Sequence, residues 1–86
     1  MYYVYLIKSK KLNKVYTGYT ENLRERFKAH NFGKSDFTSK GIPWELVYYE
    51  AYASKENAQQ RERSLKLRSK AYAQLRKRVQ KSINES

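Results

Sequence analysis

The sequence has no cysteine, one proline, three glycines and one histidine in 86 residues. Without cysteine there is neither a disulfide staple nor a thiolate metal site. No linker, internal repeat or low-complexity tract interrupts the chain. Acidic side chains are scarce as well: eight, against nineteen lysines and arginines, leave a formal net charge of +11. Such an excess implies an anionic partner, although charge alone does not separate nucleic acid from an anionic membrane surface or from simple solubility. No apolar run approaches the roughly 20 residues that a bilayer span requires. The opening Met1–Ile7 run has no basic leader or small-residue cleavage site and reads as a strand. The chain is therefore expected in the cytosol, away from membranes.

A chain of 86 residues fits a single domain, expected over 1–86, and buries only about 60 to 65% of its unfolded surface. Its core must be thin. Thirteen aromatic residues, nine of them tyrosine, bring large contact areas that partly offset the lack of length. The charge is uneven: residues 1–53 carry nine basic and five acidic groups, residues 54–86 ten and three.

Tyr2–Ile7 and Val15–Tyr19 are β-branched and aromatic runs joined by a short polar loop, which suggests a hairpin. Gly18 inside the second run suggests a bulge or a close approach by a ligand or backbone. Thr20 is expected to cap a helix over Glu21–Asn31. A loop from Phe32 to Trp44 is long enough to suggest function. Glu45–Ala53 reads as a third strand. Ser54 is expected to cap a helix to about Leu67, and Ser69 another, basic one to about Ile83, whose Tyr72, Leu75, Val79 and Ile83 form an apolar stripe. The order β-β-α-β-α-α predicts a two-layer α+β domain, with a core over about 1–70 and the basic helix over about 69–83.

Two helices carry polar groups where apolar ones are expected. Ala58, Arg61, Glu62 and Leu65 share one face of the second helix, so Glu62 must snorkel, pair with a cation or bind a metal. In the first helix Leu23, Phe27 and His30 share a face, with Arg26 at its edge. A structural explanation is open for each: Arg26 paired with Glu21 or Glu62, His30 at a helix end, Tyr5 and Tyr16 as packing residues.

Taken together, these segments resemble a known family. Tyr3-Val4-Tyr5-Leu6-Ile7, then Val15-Tyr16-Thr17-Gly18-Tyr19-Thr20, Arg24-Glu25-Arg26-Phe27-Lys28-Ala29-His30, Pro43-Trp44-Glu45-Leu46-Val47-Tyr48-Tyr49-Glu50, and Ala58 through Glu62 to Lys66 stand in order and at family spacing. They resemble the GIY-YIG nuclease superfamily, in its small single-domain bacterial branch (UPF0213-like). Tyr3 and Val4 replace the name-giving Gly and Ile, Thr17 replaces the second Ile, and the late asparagine of some larger members has no counterpart. The resemblance implies a three-stranded antiparallel sheet with flanking helices and an endonuclease using one divalent cation, Mg²⁺ or Mn²⁺, on nucleic acid, with DNA the expected form and structured or single-stranded substrates both open. It makes Tyr5 and Tyr16 the signature tyrosines, Gly18 the closing glycine, Arg26 and His30 the helix pair, and Glu62 the metal ligand.

The implied set matches what phosphodiester cleavage needs: an oriented water, a proton acceptor and positive charge on the phosphoryl oxygens. Mg²⁺ commonly takes one or two carboxylates plus substrate phosphate, so one Glu62 suffices, and Arg26 can hold two phosphate oxygens at once. A free phenol is ionised to only about one part in a thousand at pH 7. Tyr5 as base or water-orienting group thus calls for cationic neighbours such as Arg26, with Tyr16 and His30 completing the network. Lys34, Lys40 and Lys66, with Gly18, are the expected substrate contacts. The cations from Lys66 to Lys81 fit either phosphate contact or a solvated face. With no separate targeting domain, specificity is expected from substrate shape or from a protein partner. The rivals are a catalytically silent nucleic-acid-binding module on the same fold and an interaction protein for an acidic partner.

Overall fold

A computed structural model describes residues 1–85; Ser86 lies outside the described residues. Strands β1 (Tyr2–Ser9) and β2 (Val15–Thr20) form the expected hairpin. Ser9 closes its loop: the Ser9 backbone N–H donates to Lys14 O at 2.8 Å, and Ser9 Oγ accepts from the Leu12 backbone N–H at 2.9 Å. Asn13 takes a left-handed φ of 53°, a conformation asparagine tolerates. Strand β3 (Trp44–Tyr52) pairs antiparallel with the other side of β1, giving the order β2-β1-β3.

Helix α1 (Leu23–Asn31) begins two residues later than expected. Thr20 ends β2, and its Oγ1 accepts from the Asn22 backbone N–H at 3.1 Å; Asn22 is the N-cap and accepts from the Glu25 backbone N–H. The expected loop carries one 3₁₀ turn, Ser39–Gly41. Helix α2 (Lys55–Lys66) starts at Ser54, which caps it as expected. The last expected helix is two, α3 (Lys70–Arg78) and α4 (Gln80–Asn84), and Ser69 stands before α3 without a side-chain cap bond. The backbone leaves helical geometry at buried Val79 (φ −105°, ψ 14°), and the redirected α4 meets β3. Lys8 Nζ donates to Ile83 O at 2.7 Å there, satisfying a carbonyl in the last turn.

Successive strand residues point to opposite faces, and β1 is buried on both. Val4, Leu6 and Val15 pack with Ala58, Leu65, Tyr72, Leu75, Val79 and Ile83, so α2, α3 and α4 cover one face. Tyr5 and Ile7 pack with Trp44, Tyr16, Leu23 and Phe27, so α1 covers the other. The fold is α+β with an antiparallel sheet, as expected, and helices flank it on both faces, making one layer more than the element order suggested. Among the described residues no helix is long and apolar enough to cross a membrane.

Candidate active site

Tyr5 sits in the central strand and faces α1, directly across from Gly18. A Cβ on Gly18 would collide with Cζ and Oη of Tyr5. Glycine therefore lets the phenol lie across β2, and the close approach expected at Gly18 is made by Tyr5 and not by substrate. Pairing of β1 with β2 is regular through Gly18, so the expected bulge is absent; the sheet's irregularity lies between β1 and β3 at Leu6/Ile7.

The last turn of α1 brings His30 under the same ring. His30 is completely buried, with Nε2 2.8 Å from Tyr5 Oη and Nδ1 2.7 Å from Thr38 Oγ1. Thr38 is fixed in turn, because Trp44 Nε1 donates to its carbonyl at 2.7 Å. Asn31 holds the Trp44 backbone through both of its polar groups, so Trp44 is a core anchor that also reaches the site. Burial above all, with the Arg26 cation adding to it, lowers the His30 pKa to about 4. The imidazole is neutral at pH 7 and has one N–H for its two partners. Thr38 went unnoticed in the sequence; a lone threonine in a polar loop leaves no pattern to find.

Burial also pushes Tyr5 up to about 12, helped by Tyr16 and Glu62 and opposed by Arg26. The cationic neighbour expected to ease its ionisation is present, but desolvation outweighs it. Tyr16 is half-buried, edge-on to His30 with ring centroids 5.4 Å apart. Arg26 is exposed and forms no salt bridge among the described residues, neither with Glu21 nor with Glu62. On α2, Ala58 and Leu65 are fully buried, while Arg61 and Glu62 flank them partly exposed. Arg61 makes a bidentate bond to Glu50 at 3.0 Å, and Glu62 pairs with Lys66 at 3.1 Å. Burial raises the pKa of Tyr19 as it does that of Tyr5, with Glu21, Tyr2 and Glu62 adding to it. Lys66 Nζ lies 5.7 Å from the Tyr16 ring centroid. The structure thus brings Tyr5, Tyr16 and His30 together from β1, β2 and α1 with Arg26 beside them, while Glu62 on α2 is linked to Tyr16 through Lys66.

A family model described as the GIY-YIG catalytic domain matches residues 1–78. The chain belongs to the GIY-YIG family. A UPF0213 protein of Staphylococcus haemolyticus is 44% identical over 66 residues, covering 76% of this chain and 79% of its own. A UPF0213 protein of Clostridium perfringens is 45% identical over 67 residues, 77% of this chain and 71% of its own. No solved structure matches.

GIY-YIG proteins are a nuclease class that generally uses divalent metal ions. Among the described residues of this GIY-YIG domain, no three His, Cys, Asp or Glu side chains gather to enclose a metal. A protein-caged ion does not fit. The Glu62 carboxylate, 19% exposed and paired with Lys66 through one oxygen, fits a hard cation that keeps much of its own water better than one enclosed by protein ligands. The expected substrate lysines separate into two hollows. Lys40 and Lys66 line a groove of about 760 Å³ with Tyr16 and Trp44. Lys34 lies with Arg26 and Lys28 in another, of about 490 Å³. On the basic tail, Arg68 and Arg76 are partly committed to the fold: both lie over the Tyr72 ring, and Arg68 donates to Val15 O at 3.0 Å.

Proposed function

We propose that this chain is a divalent-metal-dependent endonuclease that hydrolyses phosphodiester bonds in DNA. The observation that carries the reading is the buried Tyr5 hydroxyl, 2.8 Å from a neutral His30 and beside the exposed Arg26. A guanidinium that hydrogen-bonds the Tyr5 phenol and is paired with no carboxylate among the described residues can still take a phosphate, which favours the enzyme over a silent binding module.

Arg26 takes two oxygens of the scissile phosphate and orients it. Tyr5 with a pKa of about 12 is ionised to roughly one part in 10⁵ at pH 7, so it is no standing base. It accepts a proton from the attacking water only as its own passes to Nε2 of His30. Substrate helps this transfer: a phosphate on Arg26 offsets the cation that contributes to the low His30 pKa, and imidazolium becomes easier to form. Tyr16, edge-on to His30, closes the site against bulk water. Glu62 would hold a single Mg²⁺ or Mn²⁺, which when bound supplies positive charge to the phosphoryl and leaving oxygens. Lys66, paired with Glu62, keeps that carboxylate oriented and adds charge at the phosphate path.

Selection of substrate rests on nucleic-acid shape or on a protein partner, and the site of action is the cytoplasm. The test is incubation with plasmid, single-stranded, branched and RNA substrates in Mg²⁺ or Mn²⁺, comparing the parent with Glu62→Ala and Arg26→Ala. Metal-dependent cutting of DNA that falls at least about 100-fold in both variants is the expected result. Cutting that persists in both would overturn the assignment, and binding without cutting would favour the silent module.

A further inference from the structure

Phe37 leaves 81% of its surface in solvent, the most of any large apolar side chain among the described residues. A single exposed apolar residue is ordinary. Phe37, however, caps an aromatic row: its ring lies 5.5 Å from Tyr16, which lies 6.3 Å from buried Trp44. This row lines the 760 Å³ groove, and the charges along it are Lys14, Lys40, Lys66 and Arg68, with no acidic residue among the lining. Thr17, only 4% exposed, also lines the groove, and its hydroxyl has no hydrogen-bond partner among the described residues. The groove meets the site at Tyr16, which touches both Phe37 and His30, and at Lys66, which pairs with Glu62, while Arg26 lines the neighbouring hollow.

An exposed π-face ringed by cations is suited to unpaired bases, which stack on the ring while lysines follow the backbone. A duplex keeps its bases stacked on each other and offers only phosphates. We propose that Phe37 is a stacking platform for an unpaired nucleobase, and that this groove holds a single strand leading into the active site. The ligand class rests on the nuclease reading. Of the structured and single-stranded substrates left open by the sequence, the geometry favours the single strand and adds a residue that selects it.

The test is fluorescence anisotropy with a labelled 15-nucleotide single strand, the corresponding duplex and an abasic strand of equal length. EDTA is present throughout, so that nothing is cut. The parent is expected to prefer the single strand. Phe37→Ala should weaken that binding roughly 5- to 100-fold, with less than about a two-fold change for duplex or abasic strand, and Phe37→Trp should restore it. Equal single-strand affinity in parent and Phe37→Ala, or an equal loss on all three ligands, overturns the platform. Cleavage of single-stranded substrate by the parent, run in parallel with Mg²⁺, separates the two claims. Cutting without a Phe37 effect removes the platform alone, and a Phe37 effect on binding without cutting removes the nuclease reading alone.

Discussion

His30 is a buried imidazole kept neutral, so the folded state loses stability when the proton activity rises enough to charge it. Its pKa falls from the ordinary 6.5 to about 4, through burial first and the Arg26 cation second. Because the folded value is the lower one, the unfolded chain binds more protons in between, and stability rises with pH across that window. The contribution is complete above about pH 6.5, is lost as pH falls toward 4, and does not change further below. Between pH 7.5 and 4.5 the loss comes to roughly 2–3 kcal/mol. Groups facing the ring add no competing titration in that range: Tyr5 stays a neutral phenol at about 12, and Thr38 does not ionise. Glu50 titrates lower still; burial alone would raise it, but hydrogen bonds from Arg61, Tyr48 and Tyr52 overrule that and hold it below the usual range. Urea unfolding followed by the single tryptophan, Trp44, buried beside Thr38, reads the transition at each pH. His30→Gln should lack this part of the pH dependence, so the parent should lose about 2 kcal/mol more than the variant between the two pH values. Equal losses in parent and variant would show that His30 takes its proton in the folded state as readily as in water.

Gly18→Ala drives a methyl into the Tyr5 ring; calorimetry should show a loss of about 1–3 kcal/mol, and cleavage should fall with it, whereas parental cleavage would mean that Tyr5 can shift without consequence. Arg61→Met strands the Glu50 carboxylate, and a double-mutant cycle with Glu50→Gln should return a coupling of about 1.5–3 kcal/mol; a coupling near zero would make the pair a bystander.

The sequence carried the strands and α2 plainly. The unbroken β-branched and aromatic run Tyr2–Ile7 and the Ser54 cap are local signals, and local physics settles them. The start of α1 was harder, because Thr20 and Asn22 are both competent caps and only the pairing of Thr20 with Tyr3 in the sheet decides between them. The break at Val79 left no mark in an unbroken apolar stripe; it follows from how the last turn meets β3 and Lys8. At the site, the odd polar residues Glu62 and His30 stood out by helical position. What they contact did not. Glycine at 18 was visible as room left for something, yet only the cross-strand register shows that the occupant is Tyr5. The cationic neighbour of Tyr5 was legible and its burial was not, for the same kind of reason: the sequence displays charge but not burial, and burial dominates. Phe37 was present as an apolar residue in a polar loop, a signal whose meaning depends on Tyr16 lying beneath it.

The most direct measurement is the single-turnover cleavage rate of Tyr5→Phe, His30→Gln and the double variant, each with saturating Mg²⁺ and the best substrate found. If the phenol and the imidazole move one proton as a unit, each single change should slow cleavage by about 100-fold or more, and the double should be no slower than the worse single. A Tyr5→Phe protein that cuts as fast as the parent, or losses that multiply in the double variant, would contradict a shared proton path between β1 and α1.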